Sequence, residues 1–175
     1  ILLHYGGGSI KRTGLYNEVT DSLQKADISF VELGGVQPNP KLSLVKEGIE
    51  LCRSEQVELI LAVGGGSVID TAKATAHGTA NPEADIWDIW MGKVKLEKSL
   101  PVGVVLTIPA AGSEMSDSAV LTDEAALAKR GLNTDLNRPA FALMDPSLAA
   151  TLPARQAACG VTDIAKLSPF HGIPV

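Results

Sequence analysis

"LILAVGGGSVIDTAKA", residues 59–74, joins an apolar run to three consecutive glycines, a serine and an alanine-rich continuation. Leu59 to Val63 contains no polar residue, the pattern of a strand buried on both faces of a parallel sheet. Val68 to His77 reads as a helix, stopped by Gly78 and by Asn81-Pro82. A strand that passes through glycine into a helix brings free backbone N–H groups and the positive end of a helix dipole to one point. Glycine adds positive φ and close backbone approach, so a phosphate fits such a turn. Ser67 and Asp70 have the spacing of a capping box, which would stiffen the first turn. The spacing is neither G-x-G-x-x-G nor the GK[ST] phosphate loop, so an ordinary dinucleotide fingerprint and an ATPase are both disfavoured. A tight strand–helix turn without any ligand is the plain alternative.

"LLHYGGGSIKRTG", residues 2–14, repeats the device. Gly6-Gly7-Gly8-Ser9 follow a strand from Ile1 to Tyr5 and precede Lys11 and Arg12. In a dinucleotide site this strand end meets the adenosine ribose. An acid there binds the 2′-hydroxyl, whereas glycines, a hydroxyl and nearby bases admit a 2′-phosphate.

Strands and helices alternate along the rest of the chain. Leu15, Val19 and Leu23 recur every four residues on one helix face. A strand is expected from Ile28 to Leu33. A helix follows with Asn39 as N-cap and Pro40 at its first position, reaching Ser54. "WDIWMGKVKLEKSL" (87–100) reads as irregular, with Trp87 and Trp90 packed over an edge of the sheet. Strands follow at Val102 to Ile108 and at Phe141 to Met144. This alternation predicts an α/β fold, a doubly wound, mostly parallel sheet.

The small-polar stretch 104–124 offers Thr107, Ser113 and Ser116 as ribose, phosphate or carboxamide partners, and Lys129 and Arg130 beyond it read by default as surface charges. His4, His77 and His171 have no companions at metal-ligand spacing. Fifteen Lys+Arg against twenty Asp+Glu give a net charge of −5, so nucleic acid and an anionic membrane are poor partners. No apolar run approaches the roughly 18 residues of a membrane span. The start lacks the basic n-region of a signal peptide and reads as a strand cut from its upstream neighbour. Cys52 and Cys159 share no motif, which points to reduced thiols and a cytoplasmic setting.

Together, "GGGSVIDTAKA", "PNP", "TIPAAGSE", "FALMDP" and "LPARQAACGVTD" resemble the iron-containing alcohol dehydrogenase family, in particular its NADP-dependent butanol dehydrogenase and aldehyde reductase branch. The resemblance implies a dinucleotide-binding α/β domain over residues 1–152, followed at 153–175 by the start of a helical metal-binding domain. It implies hydride transfer between NADP(H) and an alcohol or aldehyde bound to iron or zinc, in a homo-oligomer such as a dimer. Gly64, Gly65, Gly66 and Ser67 would hold the pyrophosphate, with Asp70 and Asn39 nearby. Gly7, Gly8 and Ser9 would face the adenosine ribose, and the NAD-dependent branch has Asp where Gly7 stands. Thr107, Pro109 and Ala110 would line the loop beside the cofactor, and Ser118 and Lys129 match positions that bond its ribose and phosphates.

Asp163 aligns with the first of the family's four metal ligands, one Asp and three His. Leu167 stands where the first histidine is expected, His171 matches none of them, and two prolines interrupt the following segment. The expectation is therefore a nucleotide-binding half without turnover of its own, with exposed apolar surface where the helical domain would sit. The alternatives are a non-enzymatic dinucleotide-binding module and a zinc enzyme of the glycerol dehydrogenase type.

Overall fold

The structure, a computed structural model, describes residues 1–150 together with 152, 154, 155, 158 and 162. Five parallel strands form the main sheet: β1 (Leu2–Gly6), β2 (Val31–Val36), β3 (Ile60–Gly64), β4 (Val102–Leu106) and β7 (Phe141–Leu143). Their spatial order is β2-β1-β3-β4-β7. Every residue of β3 and β4 is buried, as expected of central strands covered by helices on both faces. Side chains alternate between two cores. Leu3, Tyr5, Leu61, Val63 and Val105 pack on one face with α1 (Ser9–Thr13) and α2 (Leu15–Lys25). Leu2, Ile60, Ala62, Val104 and Leu106 pack on the other beneath α4 (Gly66–Ala80). The doubly wound sheet is thus present as expected.

α4 is a central helix. Every residue from Val68 to Gly78 is buried, because the sheet, α3 (Leu42–Ser54) and a hairpin surround it. Its run of Ala, Thr and Gly, with no apolar stripe, suits a helix approached from all sides. Gly78 lies inside α4 rather than ending it, since Ile49 of α3 fills the space a Cβ would need. The helix closes instead at Asn81, whose side chain donates to the carbonyls of His77 (2.7 Å) and Lys98 (2.8 Å).

Other boundaries moved for identifiable reasons. The strand expected at Ile28–Leu33 runs Val31–Val36, because Ile28 N–H closes α2 on Leu23 O and Gly34 makes room for the Tyr5 ring. α3 begins at Leu42 with Lys41 as N-cap, so Asn39 and Pro40 do not start it. Asn39 adopts φ 63, and Pro40 O instead accepts Thr122 N–H. Trp87–Trp90 lie within a short helix, α5 (Ile86–Trp90). The two tryptophans pack in a third core, formed by α3, α4 and the hairpin, and not over the main sheet.

That hairpin had no counterpart in the sequence reading. β5 (Ser118–Asp123) pairs antiparallel with β6 (Ala128–Asn133), and Ala119 and Leu121 point into this third core. Glu124, at its tip, accepts from Ser43 N–H (3.3 Å) and from the Ser43 hydroxyl. It thereby supplies the N-terminal cap that Lys41 cannot.

Candidate functional site

The sheet order changes direction between β1 and β3, and at such a switch point the two following connections diverge and leave a crevice. A cleft of about 340 Å³ opens there. Gly6, Gly7 and Ser9 wall it from the end of β1, and Gly64 to Ser67 from the end of β3. Thr107, Ile108 and Ala110 close it from the end of β4, where Thr107 N–H is tied to Gly64 O (3.1 Å).

The glycines serve different ends. Gly8 has φ 107 and makes the turn between the cleft and α1. None of Gly64, Gly65 and Gly66 has positive φ, so the expected conformational reason is corrected, and at Gly64 the reason is one of space. A Cβ on Gly64 would lie 2.5 Å from Val68 Cγ2. The expected capping box is absent as well. α4 starts at Gly66, Gly65 is its N-cap, and no side chain among the described residues caps it. Ser67 is therefore already inside the helix, and Asp70 turns to the hairpin, where its Oδ2 accepts Val120 N–H (3.0 Å). The first N–H groups of α4 are left for whatever occupies the cleft.

A second cleft of about 590 Å³ shares Ser9, Thr107 and Ile108 with the first and carries Arg12, Glu18 and Ser147 on its walls. Lys11 turns away from both. Its ammonium sits over the rings of Tyr5 (5.0 Å) and Tyr16 (4.6 Å), whose hydroxyls both donate to Glu32. These neighbours hold the Lys11 pKa above its ordinary value, the Tyr5 contact contributing most.

The model of the family described as "Iron-containing alcohol dehydrogenase" matches residues 1–146. The chain belongs to that family. NADH-dependent butanol dehydrogenase A of Clostridium acetobutylicum is 44% identical over 164 residues, covering 94% of this chain and 42% of that protein. NADPH-dependent aldehyde reductase YqhD of Escherichia coli is 40% identical over 165 residues, covering 93% and 42%. The crystal structure of NADH-dependent butanol dehydrogenase A from Thermotoga maritima matches with a TM-score of 0.89 at 48% identity, covering 94% of this chain and 41% of that one. The chain thus spans about two fifths of the length of these iron-containing alcohol dehydrogenase relatives.

Of the residues singled out in the sequence, Gly7, Ser9, Gly64, Gly65, Gly66, Ser67, Thr107 and Ala110 line one cleft. Gly8 and Pro109 belong to the connecting turns. Asn39 and Lys129, ninety residues apart, meet through a 2.8 Å hydrogen bond from Lys129 Nζ to Asn39 Oδ1. Asp70 lies beneath the hairpin and Ser118 opens its first strand, where Ser118 O accepts from Lys73 Nζ (2.8 Å). Ser116 is engaged locally, its hydroxyl bonded to the Ser118 backbone. Gln37 and Pro38 also line the cleft and were not singled out. Pro38 begins the "PNP" motif, and nothing in the sequence marks Gln37.

Each described histidine is held singly. His4 Nδ1 bonds Leu33 O (2.8 Å), and His77 bonds Ser99 and Asn137. Among the described residues no three of His, Cys, Asp and Glu gather as a metal would require. Asp163, Leu167, His171 and Cys159 lie outside the described residues. Among the described residues no helix is long and apolar enough to cross a membrane.

Proposed function

We propose that this chain is the nucleotide-holding part of an NADP-dependent alcohol dehydrogenase or aldehyde reductase of the cytoplasm. One observation carries the reading: an uncapped helix N-terminus and two glycine turns open into a single cleft at the sheet's switch point. The amides of Gly65, Gly66 and Ser67 would hold the pyrophosphate. Thr107, Pro109 and Ala110 would flank the nicotinamide half. Asn39 and Lys129 would stand at the rim. When bound, the nucleotide would supply hydride and a divalent metal, iron or zinc, would polarise the carbonyl of a small alcohol or aldehyde pair. The metal set would begin at Asp163. With Leu167 at the position of the first family histidine, the 175 residues would bind nucleotide without turning it over.

The preference for NADP rests on Gly7 and Ser9. Gly7 is outside the positive-φ region and a Cβ there meets nothing within 4 Å, so the space where the ribose would sit is open. Ser9 and Arg12 lie on adjoining walls. Butanol dehydrogenases named as NADH-dependent, at 44–45% identity, support NAD as a second reading.

Gly7→Asp discriminates between the two, because the backbone accepts a side chain there. A carboxylate about 4 Å from a phosphate repels it by about 1 kcal/mol per charge pair even at water-like screening. NADPH should therefore weaken about tenfold or more on titration followed by nicotinamide fluorescence, while NADH holds or tightens. Absence of saturable binding of either nucleotide at millimolar concentration overturns the reading. An unchanged NADPH/NADH ratio in the variant overturns the NADP preference. Oxidation of NADPH above background with butyraldehyde and Fe²⁺ or Zn²⁺ would overturn the absence of turnover.

A further inference from the structure

The β5–β6 hairpin lies outside the main sheet, and two buried charged side chains of α4 attach it. Lys73, two turns past the glycines, is 1% exposed, and its ammonium donates to the carbonyls of Ser116 (3.2 Å) and Ser118 (2.8 Å). Asp70, one turn nearer the cleft, is 5% exposed and takes Val120 N–H on Oδ2. Burial lowers the Lys73 pKa and raises that of Asp70, and each charge opposes the other's shift. An apolar side chain could fill the space of Lys73 without the desolvation cost, but it would take the ammonium donor from two carbonyls and leave that of Ser118 with the Ser116 hydroxyl alone. The contacts continue beyond β5. Thr122 N–H donates to Pro40 O (2.8 Å), and Thr122 faces Lys129 in register. The Lys129 ammonium rests on the neutral Asn39 amide, and among the described residues it forms no ion pair. Pro38, in the same loop, lines the cleft.

We propose that Asp70 and Lys73 are positioning residues: they fix β5 against α4 so that Lys129 stands at the cleft rim, free to exchange Asn39 for a phosphate of the dinucleotide. This rests on the nucleotide reading above. The helix that presents amides to the pyrophosphate then also aims the cation, so both contacts share one rigid support.

The test is a double-mutant cycle on the 175-residue chain with Lys73→Met and Lys129→Ala, read as NADPH affinity. Lys129→Ala should weaken NADPH about tenfold in the wild-type background, the scale of one charge-assisted hydrogen bond. In the Lys73→Met background it should cost less than about twofold, because the cation is already misplaced. Asp70→Asn keeps an oxygen for Val120 N–H and should retain more of the affinity than Asp70→Ala. Amide exchange supplies a readout that does not depend on the nucleotide. Lys73→Met should speed exchange at the hairpin amides and leave β1, β3 and β4 protected. If the wild type binds NADPH and the two substitutions act additively, the positioning role is refuted while the nucleotide reading stands. If the hairpin exchanges no faster in Lys73→Met and Asp70→Ala, the brace is refuted whether or not nucleotide binds.

Discussion

Lowering the pH from 7 to 5 should remove about 4 kcal/mol of folding stability through two histidines. His4 and His77 are fully buried, and burial pushes both pKa values down from 6.5 to about 4. At His77, Asn137 donates its amide hydrogens to Asp117 O and Leu132 O, so its oxygen must accept from the ring. The neutral ring then carries its proton on Nε2 and leaves Nδ1 2.8 Å from the Ser99 hydroxyl, whose one hydrogen is shared with Leu100 O. At His4, Nδ1–H donates to Leu33 O, and among the described residues the buried Nε2 has no partner. A second proton on either ring would be a buried, unmatched charge. The unfolded chain takes that proton near pH 6.5 and the folded chain only near pH 4. Stability is therefore full above about pH 6.5 and falls as pH drops through that window, by up to 1.36 kcal/mol per pH unit per histidine. At pH 5 the loss is about 2 kcal/mol each. The raised pKa of Asp70 opposes this only where that carboxyl takes up its proton.

Urea denaturation at pH 7 and pH 5 measures the effect on the wild type and on His4→Asn, His77→Gln and the double variant. Asn places an amide N–H near the position of Nδ1, and Gln near that of Nε2, so each keeps one hydrogen bond without a titratable ring. The pH-dependent loss should halve in each single variant and nearly vanish in the double. A wild-type change under about 1 kcal/mol, or single variants that keep the full change, would refute the argument. Stabilities of small domains lie near 5–15 kcal/mol, so a loss of this size is readily measured.

Gly64→Ala forces a methyl to 2.5 Å from Val68 Cγ2 and should destabilise by about 1–3 kcal/mol, read as a lowered urea midpoint. Glu124→Ala removes the hairpin's cap on α3 and should cost about 1 kcal/mol, seen as faster amide exchange at Ser43. The Cys52 thiol is buried and pushed up to about 11, so iodoacetamide at pH 8 should leave it unmodified until urea unfolds the chain. Prompt labelling in the folded state would contradict the packing of α3.

The amino-acid sequence by itself determined the alternation of strands and helices, the two glycine turns and the family. These features are local: an apolar run bounded by glycine signals a buried strand and a phosphate-sized turn over a span of a dozen residues. It could not show that Asn39 and Lys129 meet, nor that Asp70 serves the hairpin instead of its own helix end, because those contacts join residues fifty and ninety positions apart. The hairpin was illegible for a related reason. "EAALAKR" (124–130) is composed of good helix formers, yet it forms a turn and an edge strand because Ala119 and Leu121 are needed to cover α3 and α4. The structure also corrected why the central turn carries glycine, and here the reason is local. The φ values of Gly64, Gly65 and Gly66 lie outside the positive region, and Val68, four positions on in the first turn of α4, excludes a side chain at Gly64. Local chemistry thus settled which elements form, and only packing among distant elements settled where each charged group points.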